Sequence, residues 1–172
     1  GYVCDVTDEV AVKALVETIH REVGQIDILV NNAGISVSGL LTDISPDTRK
    51  NLFSVNVLGA IECSRLLLPQ MIHRKSGCIL NISSMWGQTG ASCEVDYSAS
   101  KAALIGFTKA LAQEVGLSGI RVNCIAPGVI RTKMLDCYDA ETLDSLAGET
   151  PLGRLGTPED VADSAFFLCS EQ

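Results

Sequence analysis

Short apolar runs alternate along this chain with longer segments of helical period, and this alternation limits the fold more than any other feature. The apolar runs begin at Ile26, Cys78 and Ile120, and the segments around them carry apolar residues every three or four positions. A short, nearly continuous apolar run is typical of a parallel strand buried on both faces, and a parallel pair of strands needs a crossover helix. The pattern therefore predicts an α/β fold with a doubly wound parallel sheet and right-handed crossovers, in one domain over residues 1–172.

Local capping signals set the expected boundaries of the elements. Thr7 is expected to cap the first helix, after a short β-rich piece at Tyr2–Cys4. Ser45, followed by proline, begins a long helix that is expected over residues 46–68. Thr157, also followed by proline, begins a last helix that packs against the rest of the domain.

The composition fits a globular enzyme and argues against several other classes of protein. The chain has 172 residues, of which 47% are hydrophobic and 20% charged, so it can bury a sizeable core. Its net charge of −8 argues against binding to nucleic acid or to an anionic membrane surface, and no apolar run reaches membrane-spanning length. We therefore expect no nucleic-acid partner, no membrane association and a cytoplasmic location.

The seven cysteines indicate neither a metal site nor a disulfide framework. They are odd in number and scattered, no two of them form a CxxC pair, and most lie in apolar segments. Cysteine in such positions behaves as a small hydrophobic residue, so we expect reduced, buried thiols and no metal. Cys93 is the exception because it lies in a loop just before Tyr97, but no histidine is near enough in sequence to make it a nucleophile.

Three side chains have the spacing that one reaction needs. Tyr97 and Lys101 are four residues apart in a segment of helical period, so both project from one face of the helix. The ammonium beside the phenol is expected to lower the pKa of Tyr97 into a range where it exchanges a proton with a substrate oxygen. Ser84 comes at the end of the apolar run that begins at Cys78, where open α/β sheets bind ligands. Taken alone, the tyrosine–lysine pair would be an ordinary exposed helical pair.

Other motifs accompany these three residues and give the pair its meaning. In chain order the motifs are Asn31-Asn32-Ala33-Gly34, Asn56, Ser84, Tyr97-x-x-x-Lys101 and Pro127-Gly128. Together they resemble the short-chain dehydrogenase/reductase family, and the resemblance covers residues 2–172. Within that family the chain is most similar to bacterial 3-oxoacyl-acyl-carrier-protein reductases.

The resemblance implies hydride transfer from a nicotinamide to a carbonyl carbon, with Asn56, Ser84, Tyr97 and Lys101 as the catalytic residues. Ser84 would bind the carbonyl oxygen and Tyr97 would deliver the proton. Lys101 would hold the ribose hydroxyls and lower the pKa of Tyr97, while Asn56, in a local distortion of its helix, would hold a water that resupplies the proton. The implied substrate is a small-molecule or carrier-bound carbonyl compound, above all a 3-oxoacyl thioester.

The resemblance also implies a dinucleotide cofactor, NADP by the subfamily, with NAD as the alternative. Asp5 and Val6 would lie at the adenine, the backbone of Ile130 would bind the nicotinamide carboxamide, and Thr132 would reach the carboxamide or a phosphate. The cofactor-binding residues implied are Asp5, Val6, Asn32, Ala33, Gly34, Tyr97, Lys101, Pro127, Gly128, Ile130 and Thr132. Residues 133–150, which are polar and weakly periodic, resemble the mobile lid that closes over substrate in this family.

Two parts of the family's pattern are missing from the chain. No glycine-rich phosphate turn precedes Tyr2, and the chain stops before the family's last strand. The resemblance therefore implies a piece of a longer protein, which lacks strands 1, 2 and 7 of the family order 3-2-1-4-5-6-7. In such a piece Tyr2–Cys4 has no adjacent strand, and the strand at 28–30 exposes an apolar edge. The choice between NADP and NAD is made largely in the missing amino-terminal part.

Two other functions stay open at the level of sequence. The segment 84–98, with its Trp86 and Cys93, also resembles bacterial reductases that act on the 5-aminopentanone modification of elongation factor P. A non-catalytic member that only assembles with partners is the alternative from another class. The intact serine, tyrosine and lysine argue against that alternative, and the missing phosphate turn argues for it.

Apolar residues on the two long helices predict self-association. The helices at 46–68 and 97–115 carry more apolar residues than one buried stripe needs, among them Phe53, Leu104 and Phe107. The family resemblance implies that these helices form a symmetric interface, so we expect a homodimer or homotetramer.

Overall fold

The computed structural model describes residues 1–136 and 138–171 as a layer of parallel strands with helices packed against it. The strands in this part of the chain are β1 (Ile28–Asn31), β2 (Gly77–Ile82) and β3 (Ile120–Ile125). The α-helices are α1 (Glu9–Glu22), α2 (Pro46–Phe53), α3 (Gly59–Arg74), α4 (Trp86–Thr89), α5 (Val95–Val115), α6 (Ala140–Glu149) and α7 (Pro158–Cys169). A π-helical turn at Ser54–Leu58 joins α2 to α3, and 3-10 turns lie at Gly116–Ser118 and Lys133–Leu135.

The strands form one parallel sheet in the order β1-β2-β3. Ile28 lies opposite Cys78 and Gly77 lies opposite Ile120, so the carboxyl ends of all three strands meet at one edge. Helices α2 and α3 lie in the connection from β1 to β2, and α4 and α5 lie in the connection from β2 to β3, as parallel pairing requires. The prediction of an α/β fold with a parallel sheet is confirmed.

The core lies between the sheet and the helices α3 and α5. Its members are Leu67, Met71, Ile79, Leu111, Val115, Ile120 and Val122. Ile79 and Met71 are fully buried. Gly77 permits this close contact between β2 and α3, because a Cβ atom there would lie 2.6 Å from Met71 Sδ.

Strand β1 is only half buried, which corrects the expectation of a strand covered on both faces. Ile28 and Val30 are each 46% exposed, whereas Leu29 between them packs against the core. The physical reason is that β1 is an edge strand of the described sheet and α3 packs against it, while Ile28 and Val30 project from the opposite face. The exposed apolar edge expected at residues 28–30 is present.

Tyr2–Cys4 does not form the expected strand. In the described part of the chain no strand lies beside it to supply ladder hydrogen bonds. The Tyr2 hydroxyl instead donates to Glu22 Oε2 at 2.9 Å, which ties this segment to the last turn of α1.

The cap of α1 is Asp8 and not Thr7, which corrects the expected start of this helix. The Asp8 carboxylate accepts hydrogen bonds from two N–H groups of the first turn. Thr7 is committed elsewhere, since its N–H and its hydroxyl both donate to Asp5 Oδ1, at 2.9 and 2.8 Å.

The long helix is continuous from Pro46 to Arg74 and passes the end expected at residue 68. Pro69 lies within it, and it stops only at Lys75, whose φ of 55° is left-handed. By its length and mean hydropathy of 1.3 this helix could cross a membrane, a criterion that the core helix of a globular protein also meets. This result differs from the expectation of no run of such length, because the fold joins α2, the π turn and α3 into one element.

The caps expected at Ser45 and Thr157 are confirmed. Ser45 Oγ accepts from the N–H of the third helical residue, and Thr157 forms a capping box with Asp160.

Residues 133–150 hold more regular structure than their weak periodicity predicted. Asp139 caps α6, and the good helix formers after it were the signal that the sequence analysis missed.

Six cysteines lie in the described part of the chain, and all six are free thiols. Cys78 is buried as expected, Cys93 is exposed, and the other four are half-buried. Burial raises the pKa of Cys78 to about 11, so this thiol stays protonated at neutral pH. Cys137 lies outside the described residues.

Candidate active site

The carboxyl end of β2 and the first turns of α5 bring Ser84, Tyr97 and Lys101 together. Strand β2 ends at Ile82, and Ser84 follows two residues later. The Ser84 hydroxyl lies beside the Tyr97 phenol and acts on its pKa, and Lys101 Nζ lies 5.8 Å from the centre of the Tyr97 ring. The three residues are 8%, 9% and 5% exposed, so they are not an ordinary pair on a helix surface.

Lys101 is held by the end of strand β2 and not by a carboxylate. Its Nζ donates to Ile82 O at 2.9 Å, and it forms no salt bridge with any described residue. Burial lowers the pKa of Lys101, because the charged form loses hydration. Gly34 passes close to the ammonium, since a Cβ atom there would lie 3.2 Å from Nζ. Two further hydrogens of the ammonium can still donate to a ligand.

The pKa of Tyr97 is raised, which corrects the expectation that Lys101 lowers it. Burial is the largest cause, the hydrogen bond with Ser84 acts in the opposite direction, and the charge of Glu94 raises the pKa further. Lys101 is not among these causes, because its ammonium donates to the strand carbonyl and lies 5.8 Å from the ring centre. Tyr97 is therefore a neutral phenol at pH 7, the form that can donate a proton.

Asn56 lies in the π-helical turn, which is the local helix distortion that the sequence resemblance implied. It is fully buried. Its Nδ2 donates to Ile35 O at 2.9 Å and to Ser100 Oγ at 3.0 Å, and its Oδ1 accepts from Ile35 N–H at 2.8 Å. The side chain thus fixes the loop after β1 against α5, one residue before Lys101. Both amide hydrogens are engaged, so a water at this place could bond to the side chain only by donating to Oδ1.

The sequence analysis missed two residues that hold α5 on the sheet. Ser83 Oγ donates to Lys101 O at 2.7 Å, and Ser83 N–H donates to Ile125 O at 2.8 Å. Gly87 in α4 approaches α5 so closely that a Cβ atom would lie 2.8 Å from the carbonyl carbon of Lys101. The serine doublet after the apolar run was the available signal for Ser83.

A buried polar network across the sheet was also missed. Asn31 Nδ2 donates to Asn81 Oδ1 at 2.8 Å, and Asn81 Nδ2 donates to Thr108 Oγ1 at 2.9 Å. Asn31 Nδ2 also donates to Ser64 Oγ at 3.2 Å, so the network joins β1, β2, α3 and α5. An asparagine within or at the end of an apolar run could have revealed it, because a buried amide needs partners. The first asparagine of the Asn-Asn-Ala-Gly motif therefore holds the sheet together.

The residues implied for the adenine end lie around one cleft. Val6, Asn32 and Ala33 border it, and Asn32 and Ala33 are exposed. Val6 packs tightly on Gly59, where a Cβ atom would lie 2.9 Å from Val6 Cγ2. Asp5 is exposed beside this cleft, and hydrogen bonds from the neighbouring threonine lower its pKa.

The residues after β3 turn back beside Ser84. Pro127 O accepts from Met85 N–H at 2.9 Å, which fixes the Pro127-Gly128 turn. Ile130 forms a parallel bridge with Gly156, whose N–H and C=O bond to the residues on either side of Ile130. The N–H and C=O of Ile130 itself therefore face away from Gly156. Thr132 is exposed at the start of the following 3-10 turn.

A parallel α/β sheet whose carboxyl edge carries a buried serine, tyrosine and lysine is the arrangement of an oxidoreductase. Within the described residues no group of three or more histidine, cysteine, aspartate or glutamate side chains is placed to hold a metal ion. The chain belongs to the short-chain dehydrogenase/reductase family, since residues 2–172 match the family described as Enoyl-(Acyl carrier protein) reductase.

Individual relatives agree with this family. The 3-oxoacyl-[acyl-carrier-protein] reductase FabG of Thermotoga maritima is 39% identical over 171 residues, which are 99% of this chain and 70% of that protein. YmfI of Bacillus subtilis, an uncharacterized oxidoreductase, is 45% identical over 147 residues, which are 86% of this chain and 61% of YmfI. The solved structure of ElxO with NADP bound has a TM-score of 0.94 and 38% identity, and covers 99% of this chain and 71% of its own. The chain thus spans between 61% and 71% of the length of these proteins.

Proposed function

We propose that this chain carries the catalytic centre of a cytoplasmic, NADP-dependent carbonyl reductase. The observation that carries the proposal is the buried cluster of Ser84, Tyr97 and Lys101, in which the Ser84 hydroxyl lies beside the Tyr97 phenol. A hydroxyl and a phenol that converge suit a carbonyl oxygen, because that oxygen becomes negative as a hydride reaches its carbon. The solved relative ElxO, 38% identical, contains bound NADP, which supports this cofactor.

Each residue has a separate task in the proposed reaction. Ser84 donates a hydrogen bond to the carbonyl oxygen and orients it. Tyr97 gives its phenolic proton to the same oxygen, and its raised pKa keeps that proton in place until the oxygen becomes basic. Lys101 binds the ribose hydroxyls with its two remaining ammonium hydrogens. Asn56 positions the loop beside Lys101, and bound NADPH supplies the hydride.

The residues around the cluster fit the nicotinamide half of the cofactor. The close approach of Gly34 to Lys101 Nζ leaves a space beside the ammonium that a larger side chain would fill. The N–H and C=O of Ile130 offer the donor and the acceptor that a carboxamide needs. The remaining residues proposed to contact the cofactor are Asp5, Val6, Asn32, Ala33, Pro127, Gly128 and Thr132.

A 3-oxoacyl thioester, free or on a carrier, is the substrate that the names of the relatives support. FabG of Chlamydia muridarum, named for this reaction, is 44% identical over 170 residues. The family description names an enoyl substrate instead. Tyr97 favours the carbonyl, because reduction of a ketone needs a proton on the oxygen of the carbon that receives the hydride, whereas reduction of an enoyl thioester ends with a proton on carbon.

The proposal is tested by following NADPH oxidation by the full-length protein with a panel of substrates. The panel holds acetoacetyl thioesters, a crotonyl thioester, simple ketones and elongation factor P that carries 5-aminopentanone. We expect oxidation with at least one carbonyl compound and none with the crotonyl thioester. A protein that oxidises NADPH only with the crotonyl thioester is an enoyl reductase, and one that binds NADPH but reduces nothing is a non-catalytic family member.

We also propose that the protein forms a homodimer or homotetramer. The residues expected to mark the interface need correction, since Leu104 is 1% exposed and Phe107 packs against the core. Leu58 on the long helix is 58% exposed and is a better candidate for contact with a second copy. Light scattering at micromolar concentration is expected to give the mass of a dimer or tetramer, and a monomer would contradict the proposal.

A further inference from the structure

Two cysteine sulfurs meet between the sheet and α7. Cys78 Sγ lies 3.9 Å from Cys169 Sγ and 3.7 Å from Leu168 O. Cys78 precedes Ile79, which faces the core under α3 and α5, so the Cys78 side chain projects from the opposite face of the sheet, where α7 packs. The pair therefore joins the central strand to the last turn of α7, and the proposed reaction uses neither sulfur.

The two thiols differ in their access to solvent. Cys78 is 3% exposed, whereas Cys169 is half-buried. Burial raises the pKa of Cys78 to about 11, so this sulfur keeps its proton until it reacts. A small oxidant that comes from solvent therefore meets Cys169 first, and Cys78 is close enough to react with the product.

Arg121 places a cation beside the sulfur pair. Its guanidinium donates to Leu168 O and, at 3.0 Å, to Ser170 O, the carbonyls on either side of Cys169. The charge of Arg121 also lowers the pKa of Cys78, against the larger effect of burial. A cation in this position stabilises the negative charge that a sulfur carries when it attacks an electrophile.

We propose that Cys78 and Cys169 are a site of reversible oxidation, at which hydrogen peroxide converts the two thiols to a disulfide between β2 and α7. The Cys169 sulfur loses its proton and attacks one peroxide oxygen, the O–O bond breaks, and the released hydroxide takes that proton to form water. Cys78 Sγ then attacks the sulfur of the Cys169 sulfenic acid, whose hydroxyl leaves with the Cys78 proton as a second water. The two sulfurs lose the two electrons that the peroxide gains.

The cross-link lies at the end of β2 that is remote from the catalytic cluster. Cys78 is the second residue of this strand, whereas Ser84 follows its other end. Rotation of the two cysteine side chains is the movement that brings the sulfurs to the separation of about 2.05 Å in a disulfide. In the cytoplasm proposed for this protein thiols are reduced at rest, so the disulfide forms transiently, as a response to peroxide.

The test starts from the reduced full-length protein, which is treated with hydrogen peroxide, alkylated with N-ethylmaleimide and digested with trypsin in the absence of reductant. Mass spectrometry then identifies the peptides that are joined by a disulfide. The variants are Cys169→Ser and Cys78→Ala. The matched control is Cys93→Ser, because Cys93 is exposed and lies in the same tryptic peptide as Cys78, between Lys75 and Lys101.

We expect a linked pair of the Cys78 and Cys169 peptides from the parent and from Cys93→Ser, which disappears after treatment with dithiothreitol. Neither Cys169→Ser nor Cys78→Ala should yield this pair. A parent protein in which Cys169 is recovered as the alkylated thiol, or as a sulfinic or sulfonic acid without a link to Cys78, would overturn the inference. A parent protein in which Cys169 is linked to Cys93 would also overturn it.

Thermal unfolding gives a second readout that does not depend on carbonyl reduction. The linked residues are 91 positions apart, so the disulfide closes a long loop and restricts the unfolded chain. Peroxide should therefore raise the unfolding midpoint of the parent by at least about 4 °C and leave that of Cys169→Ser unchanged. An oxidised parent that melts no higher than the reduced parent would show that the bond distorts the packing of α7 on β2, which contradicts the inference.

Discussion

The two halves of the candidate site differ in how firmly the chain holds them. At the carboxyl end of β2, Ser84, Tyr97 and Lys101 are all buried, and a hydrogen bond joins Lys101 to the strand. Near β1, Asn32 is exposed and Val30 is 46% exposed. The difference follows from the strand order. Among the described residues, β2 lies between two strands, whereas β1 has a neighbouring strand on one side only. In the proposed function the chemistry thus depends on the central strand, and the edge strand provides surface for the proposed cofactor contacts.

Removing the proton donor at the centre should have the largest effect. Tyr97→Phe in the full-length protein is expected to reduce kcat for carbonyl reduction by about 10²–10⁴-fold, since the general acid is lost. Affinity for NADPH should change little, because the phenyl ring and Lys101 stay in place. NADPH oxidation and a fluorescence titration of NADPH measure the two effects. Tyr2→Phe, at an exposed position where the hydroxyl bonds to Glu22 of α1, is the control. Activity within tenfold of the parent would contradict the role of Tyr97.

Substitution of two asparagines compares the stability of the two halves of the candidate site. Asn56→Ala is expected to destabilise the protein by about 2–4 kcal/mol, because it removes three buried hydrogen bonds and leaves Ile35 N–H and O without their partner. Asn32→Ala, at an exposed position, should change the free energy of unfolding by less than about 0.5 kcal/mol. Urea unfolding of both variants measures the difference. Equal destabilisation would show that the two halves are equally firm.

Two glycines test the close packing of the core. Gly77→Ala is expected to destabilise the protein by about 1–3 kcal/mol, because the new methyl group overlaps Met71. Gly106→Ala in α5 is the matched control, since no atom lies within 4 Å of the added Cβ and alanine favours the helix by up to about 1 kcal/mol. Thermal unfolding should shift the two midpoints in opposite directions. A Gly77→Ala variant as stable as the parent would show that β2 and α3 can separate without cost.

A smaller effect should appear in the pH dependence of the reaction. Tyr97 must be protonated to act as the acid, so the rate falls as pH rises through its pKa. Glu94 raises this pKa, and Glu94→Gln should therefore move the alkaline limb of kcat/KM to lower pH. An uncharged ketone is the substrate for this measurement. The control is Glu114→Gln, an exposed carboxylate in the last turn of α5, which should leave the alkaline limb of kcat/KM in place. A limb that stays fixed or moves to higher pH in Glu94→Gln would show that the carboxylate does not act on the phenol.

The sequence indicated the central half of the site well because its residues are tied to local patterns. Tyr97 and Lys101 are one helical turn apart and Ser84 follows an apolar strand, and the family resemblance then implied that the three residues meet. The helix distortion at Asn56 came from the family resemblance and is confirmed as a π turn.

The sequence did not reveal the contacts that support these residues. Asn31, Asn81 and Thr108 are far apart in the chain, and only the packing of β1, β2 and α5 makes them one network. The hydrogen bond from Ser83 to Lys101 O and the burial that raises the pKa of Glu94 likewise depend on which groups the fold brings near these residues.

Apolar periodicity and capping residues by themselves determined the parallel α/β architecture and the caps at Ser45 and Thr157, and the set of motifs that resembles the family identified the serine, tyrosine and lysine of the site. Only the tertiary structure decided that β1 leaves one face exposed and that the pKa of Tyr97 is raised. Periodicity and spacing report on neighbours along the chain, whereas burial and electrostatic environment depend on groups that meet only after folding. The ammonium of Lys101 donates to Ile82 O rather than to the phenol, so desolvation outweighs the attraction that the sequence suggested.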